Sequence, residues 1–196
     1  LADIGCTSFF PAKPLGCYGD GGMCFTNDEN LAEAMDSLRL HGKGTHKYDN
    51  VRTGINGRMD TLQAAILLAK FDIFPEEIEL RQQVAQRYSR LLNQTAEVQT
   101  PAVAVGMKSA WAQYSVLAKN EAHRSKLQDM LKEAGIPTAI YYPKPLHQQT
   151  AYKYLGYKEG DFSVSEACSR RIFSLPMHPY LSPADQERNA TVISSG

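Results

Sequence analysis

No charge of one sign dominates this chain: Lys and Arg total 21, and Asp and Glu total 21. A polypeptide without net charge has no field to draw it to nucleic acid or to an anionic membrane, so neither is expected as a partner. Its uninterrupted apolar runs stay well short of the roughly 18 to 20 residues that span a bilayer, and its first residues lack the pattern of a secretory leader. A cytoplasmic location is the expectation. Cysteine is scarce: Cys6, Cys17, Cys24 and Cys168 show no C-x-x-C spacing, which argues against a disulfide framework and for free, buried thiols. The histidines His41, His46, His123, His147 and His178 include no H-x-x-x-H or H-E-x-x-H pair, so no metal is expected. Internal repeats and low-complexity tracts are absent too. What remains is 196 residues with 43% hydrophobic content, enough to bury a core in one large or two small domains.

Against that background one segment stands out. Thr7-Ser8-Phe9-Phe10-Pro11-Ala12-Lys13-Pro14-Leu15-Gly16 is followed at once by Gly19-Asp20-Gly21-Gly22. Ser8, Phe9 and Phe10 read as the end of a short strand, while Pro11, Pro14 and the glycines prevent a helix around Lys13. A fixed loop holds an amine in one place, and an amine so held suits covalent chemistry with a carbonyl, as in the lysine Schiff bases of pyridoxal phosphate. The plain alternative is a solvated surface lysine.

The residues around Lys13 resemble those of the DegT/DnrJ/EryC1/StrS sugar aminotransferases. Ser8 and Lys13 match that family's S-F-[FY]-P-x-K-x-L-G pattern, and Gly21-Gly22, Met23-Cys24-Phe25 and Thr26-Asn27-Asp28 match the glycine pair, short strand and turn that follow. A second block, Gly54-Ile55-Asn56-Gly57-Arg58-Met59-Asp60-Thr61-Leu62-Gln63-Ala64-Ala65, fits G-x-N-x-R-[ML]-D-x-[LI]-Q-A-A. Weaker echoes are Tyr141-Tyr142-Pro143, Pro145-Leu146-His147 and Leu175-Pro176-Met177-His178-Pro179. The resemblance implies an α/β fold, the C-terminal part of an aspartate-aminotransferase-like architecture, comprising the end of a large domain and a small α/β domain. In the family about half of the polypeptide precedes the lysine loop. The acidic partner of the pyridine nitrogen, the group stacked on the ring and a glycine-threonine phosphate turn are then expected outside this chain.

Residues 1–74 are assigned to the C-terminal part of the large, cofactor-binding domain and 75–196 to the small domain. Asn27 or Asp28 should cap a helix over 29–40 with the apolar stripe Leu31, Ala34, Met35 and Leu38, ended by Gly42. The polar run from Lys43 to Arg52 reads as a weakly ordered loop. Asp60 with Gln63 forms a capping-box variant for a helix striped by Leu62, Ala65, Ile66 and Ala69, and Pro75 opens a helix reaching Leu92. Strands are expected near Val98, over Trp111 to Leu117 and over Thr138 to Tyr141. Helices follow over Glu121 to Ala134, closed by Gly135, from a Ser163/Glu166 capping box to about Ile172, and from Ser182-Pro183.

By resemblance, Lys13 is the catalytic residue: it anchors pyridoxal 5'-phosphate as a Schiff base and then moves the proton between substrate carbon and cofactor. Ser8 is a cofactor-binding candidate through its hydroxyl, or a strand-end serine satisfying backbone. Asn56 reaches the phosphate of the neighbouring subunit's cofactor in the family, implying a homodimer, or is a turn residue. Arg58 is a substrate-binding candidate, since its guanidinium suits carboxylate or phosphate, or a salt-bridge partner. Tyr142 and His147 are further substrate-side candidates, held on a proline-rich segment or used in packing. The wording of the Lys13 run is most similar to the branch that aminates a nucleotide-linked 3-keto sugar acid, the UDP-2-acetamido-2-deoxy-3-keto-glucuronate aminotransferases. Glutamate is the donor there, and lipopolysaccharide O-antigen the destination. Lysine rather than histidine at position 13 argues against the family's dehydratases. The competing expectation is a truncated, non-catalytic module that keeps the scaffold and self-associates to cover its sheet.

Overall fold

Glycine and proline divide the first part of the chain into short elements. The computed structural model describes residues 2–46 and 48–196 and separates into two compact units, one up to Pro75 and one from Glu76 to Gly196. In the first, β1 (Gly5–Ser8) pairs antiparallel with β2 (Gly22–Phe25), with Cys6 opposite Cys24 and Ser8 opposite Gly22. Both strands are exposed along their length. Helix α1 (Glu29–Arg39) starts where the Asp28 carboxylate accepts the Leu31 N–H at 3.0 Å. Its stripe is only half covered: Leu31, Ala34 and Met35 are partly buried, and Leu38 is exposed. Leu31, Met35 and Leu38, with Cys6, Cys24 and Met59, line an open cavity of about 1360 Å³.

Gly42 turns the chain out of α1 with φ +75°, where a Cβ would meet Arg52 O. The loop that follows is tied more firmly than its polar composition suggests. Gly44 N–H donates to Asp49 O (2.8 Å), Val51 N–H to Gly42 O (2.9 Å) and Asn50 Nδ2 to His41 O (2.9 Å), while Lys47 lies outside the described residues. Helix α2 (Thr61–Phe71) completes the unit. Its buried stripe is not the one that periodicity selects: Leu62, Ala65 and Ala69 are exposed and Ile66 is partly buried, whereas Leu67 is buried. Because α2 is apolar nearly all round, spacing alone cannot pick its face.

The second unit is built on a three-stranded antiparallel sheet in the order β3 (Val98–Gln99), β4 (Tyr114–Ala118), β5 (Ile172–Leu175). Period-two alternation puts Tyr114, Val116 and Ala118 on one face, where they pack with Val84, Ala85, Tyr88 and Leu92 of α3 (Phe74–Leu92). Leu127 and Leu131 of α4 (Glu121–Glu133) and Ala190 and Ile193 of α6 (Pro183–Ser194) close the same core. On the other face Ser115 and Ser174, register partners, share a hydrogen bond of 2.8 Å. Tyr88, Asn189 and Gln186 are paired within the core: the Tyr88 hydroxyl accepts from Asn189 Nδ2 (2.7 Å) and donates to Pro176 O (3.1 Å), and Gln186 Nε2 donates to Val84 O (2.8 Å). Burial, only partly offset by Asn189, pushes the Tyr88 phenol up to about 12.

Several boundaries differ from the sequence expectations. Trp111 has φ 48° and stands before β4, because its indole N–H is committed to Gln82 Oε1 at 2.9 Å. Thr138 to Tyr141 forms a single bridge, Ala139 to Ser174, rather than a strand. Ile172 belongs to β5, not to α5 (Ser163–Arg171), whose N-cap is Phe162. Ser163 therefore caps nothing, while the Glu166 carboxylate does reach back, accepting N–H bonds from Gly160 (2.9 and 3.0 Å) and Phe162 (3.4 Å).

Candidate active site

Lys13 sits on a loop whose ends are fastened together. Phe9 N–H donates to Gly21 O and Cys17 N–H to Phe9 O, both at 2.8 Å, so the segment between them leaves β1 and returns to the same point. At its tip Lys13 N–H donates to Phe10 O at 2.8 Å, a turn with Pro11 in its second position. Phe10 N–H in turn donates to Ser8 Oγ at 3.2 Å. Consecutive hydrogen bonds thus connect Ser8, Phe10 and Lys13. The loop is so tight that a Cβ on Gly16 would stand 2.7 Å from both Phe10 O and Pro11 O. Glycine is required there by close approach of backbone.

The floor of the loop is a small apolar cluster of Phe9, Cys17 and Leu67, with Leu15 and Met59 against it. Cys17 Sγ donates to Phe9 O and Gly19 O at 3.0 Å. Helix α2 supplies polar contacts as well. Tyr18 N–H donates to Gln63 Oε1 at 2.8 Å, Lys70 Nζ donates to Gly16 O at 2.5 Å, and the same ammonium lies 5.7 Å from the centroid of the Tyr18 ring. Asp60 occupies the N-cap position of α2 but makes no side-chain cap, because Gln63, its supposed capping-box partner, faces the lysine loop. Gln63, Leu67 and Lys70 recur at four and three residues and form one stripe, a signal present in the sequence but hidden by the apolar residues around it.

The other candidates fall in two groups. Asn56 and Arg58 are together: Arg58 Nε donates to Asn56 Oδ1 at 3.2 Å, and both are exposed. Ile55 N–H to Leu38 O and Gly57 N–H to Arg39 O, each 2.8 Å, lace their segment to the end of α1. Gly54 allows this, since a Cβ there would meet Gly42 N at 2.1 Å. Tyr142 and His147 lie in the second unit. Tyr142 is 71% exposed, edge-on to Tyr141. His147 is nearly buried, its Nε2 at 2.9 Å from Glu166 Oε1 and its ring beside Phe162. Burial works to raise the Glu166 carboxyl, but the Gly160 N–H, His147 and the Phe162 N–H outweigh it and hold the group below the usual carboxylate range.

Among the described residues, Lys13 Nζ and the Ser8 hydroxyl proton have no hydrogen-bond or ionic partner, so an amine and a donor stand available beside a rigid turn. Those are the groups that an aldehyde and a phosphate require, and the donor set therefore fits pyridoxal 5'-phosphate. No group of three or more metal-ligating side chains occurs among the described residues.

Comparison with known proteins gives the family. The model of the DegT/DnrJ/EryC1/StrS aminotransferase family matches residues 1–194. The chain belongs to this family. It is 48% identical over 184 residues to a UDP-2-acetamido-2-deoxy-3-oxo-D-glucuronate aminotransferase of Pseudomonas aeruginosa, covering 94% of the chain and 49% of that protein. It is 43% identical to a pleiotropic regulatory protein of Geobacillus stearothermophilus, covering 92% and 48%. Among solved structures, a DegT/DnrJ/EryC1/StrS aminotransferase from Brucella abortus superposes with TM-score 0.91 at 52% identity, over 98% of this chain and 50% of that one. DesV of Streptomyces venezuelae, solved in complex with a ketimine intermediate, gives 0.92 at 31% identity. The chain has the fold of these aminotransferases and spans about half the length of the relatives it matches. No helix among the described residues is long and apolar enough to cross a membrane.

Proposed function

We propose that this chain is the C-terminal half of a pyridoxal 5'-phosphate-dependent aminotransferase that aminates a nucleotide-linked keto sugar, a UDP-3-keto sugar acid, with glutamate as donor. Its product would enter O-antigen or another cell-surface polysaccharide, made in the cytoplasm by a homodimer. The carrying observation is the closed loop that presents Lys13, with an available amine, two hydrogen bonds from Ser8. The UDP-3-oxo-glucuronate activity of the Pseudomonas relative and the 3-dehydro-glucosamine activity of an Acidithiobacillus ferrooxidans relative, 36% identical, support the substrate class.

When bound, the cofactor supplies the electron sink through which an amino group moves between carbon skeletons. Lys13 Nζ is the covalent anchor and, once released, takes and returns the proton at the reacting carbon. The Ser8 hydroxyl donates to a phosphate oxygen. Asn56 holds a phosphate of the partner's cofactor, and Arg58, beside it, offers a fork to the substrate's acidic group. Tyr142 and His147 are further substrate-binding groups.

The exposed β1–β2 hairpin supports a second reading, a non-catalytic module that associates through it. Met23 and Phe25 are 48% and 52% exposed, and two-stranded sheets are marginal alone in water. An absorbance scan with added pyridoxal 5'-phosphate separates the two. A band near about 420 nm that vanishes in Lys13→Ala supports the enzyme. No band favours the module.

A further inference from the structure

We propose that Gln63 and Lys70 of α2 are positioning residues for Lys13, clamping the return limb of its loop so that the amine keeps one orientation. This rests on the reading of Lys13 as the cofactor anchor. The outgoing limb of the loop is set by its own prolines and by the Phe10–Lys13 turn, but the return limb, Gly16 to Gly19, has no strand or helix of its own. Apart from Cys17 N–H, which donates to Phe9 O, its hydrogen-bonded backbone groups go to side chains. Gly16 O accepts from Lys70 Nζ, Tyr18 N–H donates to Gln63 Oε1, and Gly19 O accepts from Cys17 Sγ.

Two of those three partners come from one helix, seven residues apart, with Leu67 between them buried against Phe9 and Cys17. Two turns of helix separate them, so they grip the limb at two points, and a rigid α2 leaves it no hinge. Gln63 also closes over Gly19, where an added Cβ would meet its Nε2 at 3.2 Å. Lys70, the other lysine near the loop, is committed to Gly16 O and lies over the Tyr18 ring, which leaves Lys13 as the amine without a partner. A fixed nucleophile reacts faster than one that samples several positions, because the ordering has been completed in folding.

The test compares Gln63→Leu, Lys70→Met and the conservative Gln63→Glu with the parent chain, first by amide hydrogen exchange without cofactor. Gln63→Leu is expected to speed exchange at Tyr18, and Lys70→Met at Cys17, by about tenfold, the loss of one ordinary hydrogen bond. Exchange in β4 should not change. Gln63→Glu, whose carboxylate still accepts from Tyr18, should return to within about threefold of the parent. Lys70→Met keeps its alkyl stem and decides the matter if Gln63→Leu does not fold.

Addition of pyridoxal 5'-phosphate then reads the consequence: the band should form about tenfold more slowly in Gln63→Leu and Lys70→Met and recover in Gln63→Glu. Unchanged exchange in both variants overturns the clamp. Faster exchange with an unchanged rate of band formation overturns the positioning role. Absence of a band in the parent chain refutes the anchor reading instead, and the exchange result still decides the clamp.

Discussion

Replacing Gly16 by alanine should open the lysine loop, and the size of the effect follows from its backbone. A Cβ there would stand 2.7 Å from Phe10 O and from Pro11 O, and 3.0 Å from Pro11 C, whereas ordinary contact begins at 3.4 Å. Each carbonyl must retreat by about 0.7 Å, the difference between 3.4 and 2.7. Phe10 O is the acceptor for Lys13 N–H, so the push falls on the hydrogen bond that makes the turn. Overpacking of this kind costs about 1–3 kcal/mol. Taken as about 2 kcal/mol, the Lys13 and Cys17 amides should exchange with deuterium about 30-fold faster. A displacement near 1 Å at a reacting amine costs on the order of 100-fold, so covalent capture of an aldehyde by Lys13 should slow by at least about tenfold. The control is Gly5→Ala in β1, whose nearest neighbour, Phe25 O, is 4.0 Å away; it should exchange and react as the parent does. If Gly16→Ala behaves like Gly5→Ala, the loop does not hold the amine in the way described.

Two further predictions concern the second unit, and both follow from pH. Tyr88 has its phenol raised to about 12 from 10.0 by burial, so the folded chain keeps a proton that the unfolded chain loses. Stability should be intact below pH 10 and fall by about 3 kcal/mol as pH rises to 12, and urea denaturation of Tyr88→Phe should show a shallower fall over that range. Glu166 is depressed, so its contribution is present above the usual carboxylate range and is lost as pH falls through the folded value. Unfolding monitored by Trp111 fluorescence should show acid sensitivity that Glu166→Gln reduces; an unchanged profile would mean that the Glu166 carboxyl is not held below its usual range.

What the sequence discloses here is local chemistry. Asp28, Asn120 and Ser182-Pro183 cap their helices as their residue types require, and Gly135, at φ 71°, closes α4. The lysine loop was legible too, since prolines on either side of Lys13 leave few conformations. Long-range partners were not. Gln63 fits a capping box by spacing, yet its amide goes to Tyr18, 45 positions away. Trp111 is a residue type that favours strands, yet the Gln82 side chain and a φ of 48° hold it outside one. The four residues of β5 follow α5 without a turn signal and become a strand only because β4 lies beside them. The site divides in the same way: Ser8 and Lys13 share a motif, and Asn56 and Arg58 share another. The pairing of His147 with Glu166 depended on the fold.

The most direct measurement is reductive trapping. The chain is mixed with pyridoxal 5'-phosphate, reduced with borohydride, digested and mapped by mass spectrometry. The pyridoxyl group should be found on the peptide holding Lys13, with the Lys70 peptide unlabelled because that ammonium is engaged by Gly16 O. Label spread evenly over the surface lysines, with Lys13 no more reactive than the rest, would contradict the account.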